Sequence, residues 1–195
     1  AYIVAGNEMI LNILFNFRAA IWILFIAEIG LVISLSAAIE KLSLTTATLM
    51  FIVYALLNGV TFSTLFLVYS LPSLATTFFV TAGTFGAMSA VGLFIKKDLS
   101  AIGRILIMAL IGIIIATVVN IFLASNGLDV IITYLGVLIF VGLTAYDTQK
   151  IKKMFQMAPD ASAHTQKYAV LAALTLYLDF INLFLYLLRF FGNRK

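Results

Sequence analysis

The sequence of 195 residues has no cysteine, two prolines, one histidine, one tryptophan and only 10% charged side chains. Without cysteine there is no disulfide scaffold and no thiolate metal site, and one histidine completes no zinc ligand set. No run of basic residues offers a nucleic-acid surface, so no nucleic-acid partner is expected. There is no glycine-rich phosphate loop and no elbow serine. The scarcity of charge excludes most. Soluble domains carry about 25% charged and about 45–50% apolar residues, whereas 64% of this chain is hydrophobic and its mean hydropathy is +1.16. Such a chain cannot cover its own surface with polar groups in water. It reads as a polytopic membrane protein whose first partner is the lipid bilayer, and the few prolines leave room for long helices.

Crossing ~30 Å of hydrocarbon takes about 20 mostly apolar residues in a helix. Six stretches meet that length: residues 19–39, 45–69, 75–95, 105–124, 130–146 and 168–189. They are continuously apolar and do not alternate with period two, which excludes a porin-like barrel. The sequence predicts an all-α fold, a transmembrane helical bundle forming one integral-membrane domain over residues 1–195. Residues 1–17 open Ala1-Tyr2-Ile3-Val4 without a methionine and read as the end of a seventh helix followed by a connecting loop. Lys41, Lys96, Lys97, Arg104, Lys150, Lys152, Lys153 and Lys167 fall on one side of such a bundle, and Arg18, Arg189, Arg194 and Lys195 on the other. The richer side is assigned to the cytoplasm. That assignment puts loops 40–44, 96–104 and 147–167 inside and the C-terminus outside, where its three bases run against the rule. In the third span Ala82, Gly86 and Ala90 recur at spacing four beside Gly83 and Ala87, which predicts close helix packing.

Three acids interrupt or edge the apolar spans: Glu28, Asp147 and Asp179. A charge at the bilayer centre costs at least ~2.5–3.5 kcal/mol, so such residues face the bundle interior or water and mark candidate functional sites. Asp179 lies about eleven residues, or ~16 Å, into the last span. It shares one helical stripe with Tyr168, Thr175, Asn182, Tyr186 and Arg189. Thr, Asn and Tyr alone could supply an interhelical hydrogen-bond seam; an ionisable group in mid-stripe is not needed for that. Asp147 is expected at the C-terminal end of the fifth span, where an acid opposes the helix dipole. A solvated carboxylate at a helix end is the plainer alternative. Glu28 is either a protonated packing residue or a pore-lining acid. Lys41 is a boundary base or a counter-ion to Asp147. His164, in loop-like sequence with Pro159 and Asp160, is expected to be a solvated loop residue.

The residues around these acids are similar to a known pattern. The run Leu174-Thr175-Leu176-Tyr177-Leu178-Asp179-Phe180-Ile181-Asn182-Leu183-Phe184, continued by Leu187-Leu188-Arg189-Phe190-Phe191-Gly192, resembles the C-terminal signature of the transmembrane Bax inhibitor motif family. Tyr146-Asp147-Thr148-Gln149-Lys150-Ile151 resembles its penultimate motif and Lys96-Lys97-Asp98-Leu99-Ser100 its mid-chain loop. The resemblance covers nearly the whole chain and implies seven spans, of which this sequence lacks most of the first. It implies a pH-sensitive calcium leak of the bacterial type, with Asp147 and Asp179 as paired sensor and transient calcium ligands. It also implies a latch base, which falls on Lys41. Family members carry Arg there in some cases, and Lys cannot offer Arg's bidentate fork to a carboxylate. If both spans start at the membrane edge, Asp147 lies near the surface and Asp179 ~16 Å in, so contact requires longer or tilted helices.

The leading expectation is therefore a cation leak for calcium, gated by protonation of the aspartate pair and not an enzyme. Calcium takes hard oxygen ligands, here the carboxylates with Thr175, Asn182 and backbone carbonyls, and Glu28 as a further pore-lining candidate. No cofactor is expected; calcium enters as the permeant ion. Two alternatives stay open. One is a non-conducting regulator binding membrane proteases or death-regulating proteins, with no protein partner identified by the sequence. The other is an intramembrane aspartyl protease, although Asp179 follows Leu178 and not the Gly-x-Gly of those enzymes. A compact chain suggests a bacterial plasma membrane.

Overall fold

The computed structural model describes residues 1–7, 18–157, 162–193 and 195. Among these the chain is helical, without a strand: α1 (Tyr2–Ala5), α2 (Arg18–Ala38), α3 (Leu44–Thr61), α4 (Leu65–Val68), α5 (Leu71–Phe94), α6 (Ser100–Leu123), α7 (Asn126–Met157) and α8 (Ala163–Phe191). A 3-10 turn at Phe62–Thr64 carries α3 into α4, so the apolar run Leu44–Val68 is effectively one span. That run, α5, α6, α7 and most of α8 are long and apolar enough to cross a membrane, and α2 adds the apolar stretch Trp22–Ala38. The protein is a helical integral-membrane bundle. Its exposed side chains include the large apolar Trp22, Phe79, Phe94 and Phe122.

Local chemistry sets the helix ends. Ser43 accepts the Thr46 N–H at 3.0 Å and caps α3. Pro72 is tolerated because it sits in the first turn of α5, where its missing N–H has no helical partner to lose. Asp98 Oδ1 accepts from the Ser100 N–H (3.0 Å) and hydroxyl (2.7 Å) at the start of α6. Ala124 ends α6 in the left-handed region at φ 48°, which costs a residue with a Cβ about 1–2 kcal/mol. Asn120 offsets that cost: its carbonyl accepts the Ala124 N–H and its side-chain oxygen the Ser125 N–H.

The chain divides into two compact units. The first comprises residues 1–71, 160–174 and 193–195. Here α2 and α3 pack over Leu35, Ile39, Ala47 and Tyr54. Glu40, in the turn after α2, accepts from the Tyr168 hydroxyl at 3.0 Å through its carboxylate and from Lys167 Nζ at 3.0 Å through its carbonyl. Ser70 N–H donates to Asn193 and Lys195 N–H to Val68. The second unit comprises residues 72–159 and 175–192. Its core is Ile113, Ile139, Phe140, Leu143, Leu183 and Leu187, contributed by α6, α7 and α8.

Three sequence expectations are corrected. The segment 147–167 is not a loop: α7 runs on to Met157 and α8 begins at Ala163. Asp147 therefore lies about three turns inside α7, not at a helix C-terminus. His164 is helical, in the first turn of α8, exposed and 4.8 Å ring to ring from Tyr168. Close packing in α5 is not at the small-residue stripe either. A Cβ at Gly83 or Gly86 would meet nothing within 4 Å, whereas one at Gly92 would run into the Ala145 carbonyl and the Thr148 side chain. The expectation for residues 1–17 falls partly on residues 8–17, which lie outside the described ones; before them α1 is a single helical turn.

Candidate functional site

The site is built on α7 where the sequence reads Ala145-Tyr146-Asp147-Thr148-Gln149. Successive helical residues step by about 100°, so four in a row point nearly all round the axis. Together the five residues meet three helices and the α5–α6 connection. Tyr146 lies flat over Gly103 of α6, and a Cβ there would clash with its ring. The Ala145 carbonyl and Thr148 meet α5 at Gly92, where the absence of a side chain lets the two backbones touch. Asp147 reaches α8, where its carboxyl group lies against that of Asp179. Gln149 reaches the α5–α6 connection: its Nε2 donates to the Lys97 carbonyl and its Oε1 accepts the Leu99 N–H, both at 2.9 Å.

The structure thus brings Asp147 and Asp179 together. Longer helices make this geometrically available, because α7 passes well beyond Asp147 and α8 starts about four turns before Asp179. Asp179 is 5% exposed, and its Oδ2 has no hydrogen-bond partner. A hydrogen bond between two carboxyl groups requires a proton on one of them. The rest of the α8 stripe is accounted for in part. Asn182 donates its amide to the Leu178 carbonyl at 2.8 Å. Tyr186 packs on Gly136 and stacks against Phe140, with ring centroids 5.8 Å apart. Arg189 lies 3.5 Å from Asp129 in a half-exposed pair that contributes little to stability. Thr175 is half-buried one turn before Asp179. In the first unit, Glu28 is buried on α2 and accepts the Thr61 hydroxyl of α3 at 2.5 Å, while Lys41 is exposed in the turn after α2.

Sequence reasoning missed the staple between α7 and the α5–α6 connection. Besides Gln149, Lys152 Nζ donates to the Leu93 carbonyl at 2.5 Å, one of the orphan carbonyls at the end of α5. Lys153 Nζ lies 2.7 Å from Asp98 Oδ1. The hydrogen bonds from Lys153 and Ser100 hold the Asp98 carboxyl well below the usual carboxylate range, so Asp98 stays charged in mildly acidic solution. The spacing Gln149, Lys152, Lys153 at i, i+3, i+4 was the available signal, since it places all three on one face. Gln149 is the buried member of the staple. Gln149→Ala leaves two backbone groups without partners and is expected to destabilise the fold by about 1–3 kcal/mol, read as a lower melting temperature in detergent.

Among the described residues no group of three or more His, Cys, Asp or Glu side chains could hold a metal ion. An ion at the aspartate pair would take its remaining ligands from hydroxyls, carbonyls and water.

The whole chain, residues 1–195, matches the family model described as inhibitor of apoptosis-promoting Bax1. The chain is 52% identical over 196 residues to the inner membrane protein YbhL of Escherichia coli, covering all of this chain and 84% of that protein. It is 48% identical over 195 residues to an uncharacterized protein of Borreliella burgdorferi, covering all of this chain and 84% of the relative. A Deinococcus radiodurans protein, also uncharacterized, is 42% identical over 195 residues, all of this chain and 82% of its own length.

Proposed function

The chain belongs to the family of the inhibitor of apoptosis-promoting Bax1, and from that premise we propose that it is a pH-sensitive calcium leak gated by the Asp147–Asp179 pair. One observation carries the reading: two carboxyl groups set against each other between two long apolar helices. Acids inside membrane spans are costly and rare outside functional sites. Two carboxylates in contact cannot both ionise freely, so the pair holds one proton between them and titrates as a unit. With the proton in place, the bond ties α7 to α8. When it is lost, two like charges repel across the seam, the helices part, and the carboxylate oxygens attract a hard cation. Flux then falls as the pH drops. Thr175 and Asn182 line the same stripe of α8 and supply further oxygens; Glu28 is a second acid for the permeation path.

The name of the Escherichia coli relative, an inner membrane protein, supports a bacterial plasma membrane as the location. Purified protein in calcium-loaded liposomes tests the reading. Calcium release at neutral pH is the expected outcome. Tight vesicles would leave the non-conducting regulator, and cleavage of an added membrane peptide would point to the protease.

Lys41 is kept as the latch that the resemblance implies. Lys41→Ala should raise the resting leak near neutral pH, measured as the initial rate of calcium release. A rate equal to the native one would place the latch elsewhere.

A further inference from the structure

Arg104 lies one turn inside α6, on an exposed face that it shares with Ala101, Ile105 and Met108 at i−3, i+1 and i+4. Beside them is an open hollow of about 490 Å³, lined by Ala101, Arg104, Ile105, Ile107 and Met108. Ligand sites run to about 300–1,000 Å³, so the space is large enough to hold part of a ligand. Its one charged group has no carboxylate partner among the described residues.

No nearby acid is free to supply one. Asp98, the exposed acid at this end of the second unit, is taken by Lys153 and Ser100. Lys96 and Lys97, in the connection before α6, add to the positive charge. The Cα–Cβ bonds of a helix tilt towards its N-terminus, which aims the Arg104 side chain towards the end where those lysines stand. Away from that end the same face of α6 stays apolar. Ile105, Met108, Ile111 and Ile115 recur at intervals of three and four, and each is more than half exposed. From Arg104 to Ile115 the helix rises ~16 Å, about half of the ~30 Å hydrocarbon layer.

We propose that this face of α6 binds an anionic phospholipid, with Arg104 on the phosphate and an acyl chain along Ile105, Met108, Ile111 and Ile115. The planar guanidinium can meet two phosphate oxygens at once, and Lys96 and Lys97 attract the headgroup from further off. By its excess of bases this end is the cytoplasmic one, where anionic lipids make the membrane surface negative. A free phosphate would leave the apolar strip unused. A second helix is the poorer fit, because helix interfaces in membranes take small residues that let backbones approach, and this strip is isoleucine and methionine. The lipid site does not depend on the aspartate pair.

The test is exchange of the delipidated, detergent-purified protein with equal amounts of phosphatidylglycerol and phosphatidylcholine, followed by mass spectrometry of the intact complexes. The native protein should retain phosphatidylglycerol over phosphatidylcholine by about tenfold, and Arg104→Gln should lose about fivefold of that preference, the share of one base at an anionic surface. An excess of inorganic phosphate should not displace the lipid. In lipid-free detergent Arg104→Gln should melt as the native protein does, since the guanidinium has no protein partner to lose; a merely structural arginine would lower the melting temperature and leave the lipid ratio unchanged. If Arg104→Gln does not fold, the native protein in high salt carries the comparison, and its preference should shrink as the charges are screened. The site is overturned if the native protein retains both lipids equally, if the folded Arg104→Gln protein keeps the native preference, if salt leaves that preference unchanged, or if inorganic phosphate displaces the lipid, which would mark a free-anion site.

Discussion

Gly92→Val is expected to lower the melting temperature of the bundle sharply, whereas Gly86→Ala leaves it intact. Both glycines lie on α5, and the difference between them is purely one of neighbours. At position 92 an added Cβ would sit against the backbone oxygen of Ala145 and 2.9 Å from the Cβ of Thr148. Neither is the movable end of a side chain, so α5 and α7 must separate. Overpacking of an interior costs about 1–3 kcal/mol when side chains can rearrange, and more when backbones must shift. A β-branched residue adds to that, and the loss is a large share of a fold stability of only about 5–15 kcal/mol. At position 86 the Cβ meets nothing within 4 Å, and alanine is about 1 kcal/mol the better helix former. Thermal melting in detergent, followed by helical circular dichroism, checks both. A native melting curve for Gly92→Val would mean that α5 does not press on α7 as described.

The second large effect is on permeation. Asp179→Asn should lower calcium flux at neutral pH by tenfold or more, on the order of what loss of a metal-supporting group costs, and leave the protein folded. Asparagine matches the shape of aspartic acid and still bonds Asp147, so the seam between α7 and α8 remains closed. It cannot ionise, so the repulsion that opens the seam never develops. The measurement is calcium release from liposomes beside a melting curve of the same preparation. Native flux from a folded Asp179→Asn protein would remove Asp179 from the conduction path.

What could be read from the residues, and what could not, divides along one physical line. Hydropathy reports contact with lipid, and it located the apolar runs and the acids within them because those are the features a bilayer selects. It does not report where a helix ends. Lys150, Lys152 and Lys153 stop the fifth apolar run, yet α7 continues through them to Met157 because nothing in that stretch breaks a helix. Hydropathy alone therefore places Asp147 at a helix end, where the structure has it inside α7. The packing glycines were also beyond reach. Gly83, Gly86 and Gly92 are alike in sequence, and only the course of α7 decides that Gly92 is the one pressed against it. Gln149 carries no hydropathy signal of its own. Its role follows from the α5–α6 connection lying opposite it, some fifty residues earlier in the chain.

The central claim is that one shared proton on Asp147 and Asp179 sets the flux. It is tested most directly by calcium release against pH for the native protein, Asp147→Asn, Asp179→Asn and the double variant. A coupled pair loses its protons in two steps that belong to the pair, and only the native protein has both groups. Native flux should therefore fall steeply as the pH drops from neutral into the mildly acidic range. Each single variant should give a flat response, and the double variant should add nothing to either. A response in the double variant as steep as the native one would contradict the account and move the sensor to Glu28 or His164.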